Sequence, residues 1–450
     1  MPQGLRIVPP IVLLCLAAAT ARAQEPVPQE AGAPTAIVTL QSLIEEARQR
    51  SPGLQAKQRA YEAARARVIS AWLPEDPEIG ADIEGQSGLF RFDRTDTEYS
   101  LMQTVPFPTK LLLRGRVAAQ DAQIAYQAYK EKERDVIWHL EQPYAELFLA
   151  NKTVGALETL QTLAKRLAQT VQTRYETSQA SQQDLLKADI ESSKLDIELF
   201  QWRQQAQVAE AHMSHVLNRP LETSYTIAEE PTMTEPLSWT RAELERMALE
   251  ERPELKALEI GIRRAKTQRL LSATSWLPDL TGRIEARHFS GESGIREYDT
   301  FLGLTVPVWS LIKGIGGEWK GAGADVQEAE AAYTEMKNEV LLAVYEAYAK
   351  AQTAEHALAT YEHLILPQAR QQVDVALASY EAGRMDMLSL IDAQRTLKEA
   401  NLAHSRMKAD YELGLSDLRL AVGGPLKPTG TPASNPALVR PMTQGQDAHE

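Results

Sequence analysis

The chain has almost no cysteine, no excess of basic charge, and no apolar run long enough to cross a bilayer as a helix. Its one cysteine, Cys15, lies near the amino terminus, so neither disulfides nor thiolate chemistry carry the rest of the molecule. The formal charge is −13 over 450 residues. That excludes the basic face a nucleic-acid partner requires. The signatures H-E-x-x-H, G-x-x-x-x-G-K-[ST] and G-x-S-x-G are absent, and nothing in the composition argues for catalysis or a cofactor. Glycine and proline are gathered into clusters, which mark boundaries.

What is present begins with an export leader over residues 1–23. Arg6 supplies a positive charge, an apolar run follows from Ile11 to Ala19, and Ala21 and Ala23 form the A-x-A pattern of a signal-peptidase site. A membrane anchor is the competing reading, but such a helix needs about 20 apolar residues. Leu14 stands before Cys15, where a lipoprotein signal has a small residue; lipidation of the N-terminus is left open. Cleavage would remove Arg6 and Arg22 and no acid, leaving the mature chain more acidic. Residues 24–38 read as a flexible linker. Residues 428–450, with Pro428, Pro432, Pro436 and Pro441 and no apolar periodicity, read as a disordered tail.

Between these ends the sequence is written twice. Pro52 in "ARQRSPGLQA" matches Pro253 in "ALEERPELKA". Trp72-Leu73-Pro74 matches Trp276-Leu277-Pro278, and Thr104-Val105-Pro106 matches Thr305-Val306-Pro307. Tyr175 matches Tyr380, Leu185-Leu186 matches Leu390-Ile391, and Pro220 matches Pro425. The matches run in order at a nearly constant offset, which is the mark of a tandem duplication. The first repeat spans 39–221 and the second 240–427, with a linker at 222–239.

Each repeat has the same plan. A helix is predicted over about 40–72 and again over 240–276, each stopped at Trp-Leu-Pro. Strands are predicted at 77–87 and 97–107, and at 279–289 and 298–309. In the first, Ile79, Ala81 and Ile83 alternate with Glu78, Asp82 and Glu84; in the third, Leu280, Ile284 and Ala286 alternate with Thr281, Arg283, Glu285 and Arg287. Period two with one apolar face predicts half-buried strands. Long helices are predicted over about 109–176 and 316–380, with a return helix after each. In the last, apolar residues step through Leu397, Ala400, Ala403, Met407, Tyr411, Leu415, Leu418 and Val422. A helix of that length measures about 100 Å, whereas a compact globule would have a radius of gyration of about 22 Å. The helices must therefore form an elongated, coiled-coil-like structure. Pro143 and Pro367 are expected to kink or interrupt them. Four strands cannot close a barrel, for which eight is about the smallest number. The strands alone leave a barrel shared between chains and a small sandwich both open.

The duplicated halves, the Trp-Leu-Pro to strand transition, the Thr-Val-Pro strand ends and the tyrosine-to-"DLLKA" turn together resemble the TolC family of outer-membrane efflux proteins. "QTVPFPTKLLLRGRVAA" is similar to the CzcC and CusC branch. The resemblance covers about residues 39–427. It implies a mainly α fold with a small β part: long helical hairpins forming an α-barrel, plus four strands per chain contributing to a trimeric 12-stranded transmembrane β-barrel. It further implies a homotrimer in the outer membrane of a Gram-negative bacterium, in contact with outer-membrane lipid. The partners it implies are a periplasmic adaptor (membrane fusion) protein and an inner-membrane transporter. The implied function is the channel of a tripartite efflux system. A type I protein-secretion component shares the same duct, and a periplasmic coiled-coil scaffold is the reading outside the membrane.

The resemblance places the functional residues at the hairpin tips, about 176–185 and 381–392. Asp184, Asp386 and Asp392, with Arg384 and Gly383, are the gate candidates; threefold symmetry would make each acid a ring of carboxylates. An aspartate there is also a helix cap or a solvated side chain, and Asp386 is placed for an N-cap. Ser178, Ser181 and Met385 are candidates for adaptor contact. Gly314, Gly316 and Gly317 are candidates for a hinge between strand and helix. "GIGGEWKGAG" is not the dinucleotide fingerprint, since Trp319 fills the place of the last glycine. His212 and His215, at i and i+3, would need further ligands to hold a metal, and the sequence fixes none beside them.

Overall fold

The computed structural model describes residues 37–84, 96–177, 181–227, 237–289, 294–382, 384–385 and 387–426. The leader, the tail, Ser178, Gly383 and Asp386 lie outside the described residues, as do residues 24–36 of the first linker. The chain is mainly helical, and its order is β1 (Ile37–Val38), α1 (Leu40–Arg50), α2 (Pro52–Ala71), β2 (Glu78–Glu84), β3 (Asp96–Val105), α3 (Pro108–Glu176) and α4 (Gln182–Val216). The inter-repeat linker holds β4 (Thr226–Ile227), and the second repeat follows as α5 (Arg241–Glu251), α6 (Pro253–Ala273), β5 (Asp279–His288), β6 (Glu297–Thr305), α7 (Val308–Lys313), α8 (Trp319–Thr360), α9 (Leu366–Glu381) and α10 (Met387–Val422).

Each repeat opens on a threonine cap. The Thr39 hydroxyl accepts from the Ser42 amide, and that of Thr240 from the Glu243 amide, with the reciprocal bond present in both. Such boxes satisfy two of the amides that a helix start leaves unpaired. The single helix expected over 40–72 is in fact two, and so is its counterpart. Proline rejects a helical residue before it. Ser51 and Arg252 are accordingly extended, with ψ of 117° and 121°, and Pro52 and Pro253 start new helices. The strands expected to reach 107 and 309 end at Val105 and Thr305. Pro106 and Pro307 follow, and neither can donate to a ladder.

Helix α3 runs 69 residues, about 100 Å at 1.5 Å per residue, and is unbroken at Pro143. In the second repeat the same span is divided by two π-helical turns, Gly314–Glu318 and Tyr361–Ile365. The second turn lies just before Pro367. A widened turn is one way a helix accommodates a proline that lacks its donor. The two linkers are also ordered in part, since β1 pairs in parallel with β4.

The duplication extends into the packing. In the first repeat Leu43 and Ala47 pack with Val136, Leu140, Leu147, Met213 and Leu217. In the second, Leu244 and Ala248 pack with Val340, Val344, Ala351, Leu418 and Val422. Each of these seven residues of one cluster has its repeat counterpart in the other. Helix α3 packs against α2 and α4 of its own repeat and against α6 and α10 of the other, whereas α8 packs against α5, α6 and α10. Cross-repeat packing thus falls on α3, and α2/α4 and α8/α9 form the lateral edges.

The strands form one antiparallel sheet in the order β2-β3-β5-β6. Its base is tied to α3 by a clamp between repeats. The Lys110 ammonium donates to the Leu277 carbonyl at 2.7 Å and to Asp279 Oδ1 at 2.9 Å, and the Phe107 amide donates to the same oxygen at 3.0 Å. Next to it, the Trp72 ring lies on Gly115, where an added Cβ would come within 2.3 Å of the indole. Lys110 is buried, so Lys110→Met leaves a carboxylate without its counter-charge. A destabilisation of about 3 kcal/mol is expected, read as a lower unfolding midpoint in detergent. Asp279→Asn in the same chain should restore part of that loss.

Candidate functional site: the sheet faces and the hairpin tip

Register assigns every residue of the sheet to a face. Ile79 stands opposite Leu101, and Leu101 opposite Ile284; Tyr99 stands opposite Ala286, which stands opposite Tyr298; Leu280 stands opposite Leu304. This face is apolar and uncovered, with Ile79 85% and Leu302 74% exposed. The other face carries charge. Arg287 lies 3.1 Å from Glu98 and 3.5 Å from Asp299, and Arg283 lies 2.8 Å from Glu285. The Arg283 guanidinium also covers the Phe301 ring at 5.5 Å. Among the described residues, the outer strands β2 and β6 have no neighbour on their far sides. An apolar outer face, a charged inner face and two open edges suit a segment of a barrel in lipid. No described helix is long and apolar enough to cross a membrane.

The glycines singled out as a hinge fall inside a helical run and not between strand and helix. Gly314 and Gly317 lie in the π turn after α7, as does the backbone of Gly316. At Gly314 an added Cβ would come within 2.7 Å of the Trp319 ring, whose indole donates to the Ser272 carbonyl at 3.2 Å. Close approach of that ring is therefore one requirement for glycine there.

At the far end, the reversals are shorter than the spans read from sequence. The second helix pair turns between Glu381 and Met387, the first between Glu176 and Gln182. Asp184 and Asp392 lie on returning helices, not in the reversals. Asp392 is exposed and 3.8 Å from Arg395. Ser181 and Arg384 are exposed, and the Arg384 amide closes the end of α9 on the Ser379 carbonyl at 2.9 Å. Met385 is half-buried against Val171, Ala376, Leu390, Ile391 and Ala393.

Sequence reasoning missed the ties that join the repeats just behind the tip. Arg395 of α10 donates to Glu191 of α4 at 2.8 Å, and Lys398 to Glu198 at 3.0 Å. Lys194 donates to Glu191 as well, at 3.0 Å. Burial raises the Glu191 carboxyl, but Lys194 and Arg395 outweigh it and hold it below the usual carboxylate range. The signal that points to these bonds is departure from the repeat, because Arg395 and Lys398 stand where the first copy has Ile190 and Ser193.

Farther up, a groove of about 1040 Å³ lies between α1, α3, α6 and α10. Its wall holds Glu141, which accepts from the Ser416 hydroxyl and pairs with Arg419 at 3.3 Å. Burial pushes the Glu412 carboxyl up; Arg419 opposes this and Glu141 adds to it, and one Glu412 oxygen has no hydrogen-bond partner among the described residues. Among the described residues no group of three or more His, Cys, Asp and Glu side chains is placed to hold a metal; His212 and His215 are both exposed. Because Glu412 is easier to protonate folded than unfolded, its contribution to stability is present in acid and is lost as pH rises through the folded value. Glu412→Gln should therefore raise the unfolding midpoint by a few degrees at about pH 7, a gain that vanishes below about pH 4.5.

Residues 244–424 match the family model described as outer membrane efflux protein. A sequence comparison with curated proteins finds no match. Three solved structures illustrate the likeness of fold. VceC, an outer membrane protein from Vibrio cholerae, has a TM-score of 0.73 at 18% identity, covering 86% of this chain and 96% of that one. CusC, described as forming a transmembrane channel, has a TM-score of 0.74 at 16% identity, covering 91% and 100%. The MtrE outer membrane channel of Neisseria gonorrhoeae, solved in its open state, has a TM-score of 0.72 at 15% identity, covering 86% and 89%.

Proposed function

We propose that this chain, whose second repeat matches the outer membrane efflux protein family, is the outer-membrane channel of a tripartite efflux system. Three copies close a 12-stranded barrel in the outer membrane, and their helices continue the duct into the periplasm. The protein conducts passively and carries out no reaction. An inner-membrane transporter supplies the substrate and the energy, and a periplasmic adaptor grips the hairpin tips. The observation that carries this reading is the amphipathic four-stranded sheet, with its apolar face bare and both edges open, set on helices about 100 Å long. Lipid accepts that face, and further copies complete the hydrogen bonds of the edges. A soluble periplasmic scaffold would leave both exposed to water. An outer-membrane component of type I protein secretion would use the same duct; the class of transporter that copurifies separates the two.

The test is extraction of the protein from outer membranes in detergent, followed by measurement of its mass and its conductance in planar bilayers. A trimer with single-channel conductance is expected. A monomer confined to the soluble periplasm overturns the reading.

The gate is assigned to the tips. Asp184, Asp386 and Asp392 are the candidates for carboxylate rings around the mouth. Gly383 and Arg384 belong to the reversal between α9 and α10, and Ser178, Ser181 and Met385 are the candidates for adaptor contact. The Arg395–Glu191 and Lys398–Glu198 ties hold α10 against α4 and oppose opening. Arg395→Ala with Lys398→Ala should raise conductance several-fold in bilayers without loss of the trimer. Since Glu191 is held below the ordinary carboxylate range, its tie persists through neutral pH and is lost only as pH falls through that lowered value. Conductance should accordingly rise in acid in the unaltered protein, and less so in the double variant.

A further inference from the structure

On the charged face of the sheet one row of residues stands apart. Register puts Glu78, Met102, Arg283 and Phe301 side by side across the four strands. Away from that row the face is acidic, with Asp82, Glu98, Glu285, Glu297 and Asp299 set against Arg287. Among the described strand residues of this face, Met102 and Phe301 are the ones with apolar bulk, and Phe301 is 52% exposed. Lipid does not account for that ring, because the apolar face is the opposite one. The duplication does not account for it either, since Phe301 stands where the first repeat has Ser100.

The ring is held in place from two sides. Two residues along β6, a Cβ added at Gly303 would come within 2.5 Å of the Phe301 ring. The ring therefore lies along its own strand, and a side chain at Gly303 would lift it. A glycine inside a strand often marks such a close approach to the backbone. From β5 the Arg283 guanidinium covers the ring at 5.5 Å and is itself tied to Glu285 at 2.8 Å. The rest of the ring is open. Two residues back on the same strand and face is Asp299, whose side chain is 59% exposed. Pairing at a sheet edge lies in the plane of the sheet, so closure of a barrel leaves this face uncovered.

We propose that Phe301 and Met102, with Asp299 beside them, form a contact site for organic cations that carry an aromatic ring. This rests on the channel proposed above, in which the charged face lines the lumen, and adds a class of solute to it. Acids along a lumen raise the local concentration of any cation, a metal ion included. Phe301 adds a ring face and apolar area, which a hydrated metal ion does not use and an aromatic cation does. The ring of the solute rests on Phe301 and Met102, and its positive charge lies toward Asp299. An aromatic anion would meet the same ring but be repelled by Asp299 and the acids around it. The contact is a patch on a wall and not an enclosed pocket, so a bound solute leaves readily, as conduction requires.

Block of the potassium current through the full-length protein in planar bilayers tests the site. The probes are benzyltrimethylammonium and tetramethylammonium, added on both sides; they share a charged group, and the first alone carries a ring. In the unaltered protein benzyltrimethylammonium should halve the current at a concentration about two- to five-fold lower, the gain from one exposed aromatic contact. Phe301→Ser, which installs the residue of the first repeat, should abolish that difference and leave block by tetramethylammonium unchanged. Phe301→Trp should preserve the difference, and the probe-free current of each variant reports that it has folded. Asp299→Asn should weaken block by both probes and keep the difference between them. Equal block by the two probes in unaltered, conducting protein overturns the site while leaving the channel. So does a difference that survives in Phe301→Ser. Absence of any current through the unaltered protein removes the channel and this inference with it.

Discussion

Backbone amides and carbonyls at the edge of a sheet cannot be left unpaired in hydrocarbon, and that constraint governs everything this chain does with its four strands. In lipid each unsatisfied group costs several kcal/mol. The apolar face, with Ile79, Leu302 and Leu304 bare, calls for a lipid environment; β2 and β6, open along their length, prevent one copy from entering it alone. In the barrel proposed above, closure between copies meets both requirements. The charged face would then be enclosed, with the Glu98–Arg287–Asp299 and Arg283–Glu285 pairs lining the lumen and facing water, where a rim of alternating sign costs little.

The helices meet the same constraint in a different medium. Around α3, cross-repeat contacts are a mixture of apolar packing and ion pairs, including Arg134 with Glu254 and Arg264 with Asp121. By the repeat offsets the counterparts of these four residues are Asn338, Gly53, Ala63 and Asp325, so neither ion pair recurs on the lateral edges, where Leu186, Ile190, Leu342 and Tyr345 are exposed. An ion pair in water contributes little and is screened, whereas a row of apolar side chains is driven to cover itself.

Much of this was legible in the sequence. The duplication, the four strands with their apolar face, and the long helices all follow from periodicities of two and of 3.6 and from paired motifs. The breaks at Ser51 and Arg252 were readable too, since Pro52 and Pro253 stood in both copies, but a helix stop and a helix start at one proline look like continuity in a pattern of spacing alone. Pro143 shows the opposite failure: the residue that should break a helix stays within α3, and the departures fall at π turns in the other repeat. Whether a proline interrupts a helix depends on what the neighbouring turn can absorb, which no single residue encodes. The reversals were read too wide on their far side alone: the outbound helices end at Glu176 and Glu381 as expected, but the returning helices already begin at Gln182 and Met387.

What the duplication hides is as informative as what it reveals. Matching positions report the common scaffold, so Leu43 and Leu244, or Met213 and Leu418, identify core and nothing more. The positions that carry a particular role are the mismatches: Arg395 against Ile190, Asp417 against His212, Trp138 against Leu342. At each, the first-named residue reaches the other repeat of its own chain, Arg395 through Glu191 and Trp138 with Asp417 through each other, while its counterpart is exposed on a lateral edge. Divergence between the repeats thus marks where the sequence treats the seam inside the chain and the exposed edges differently.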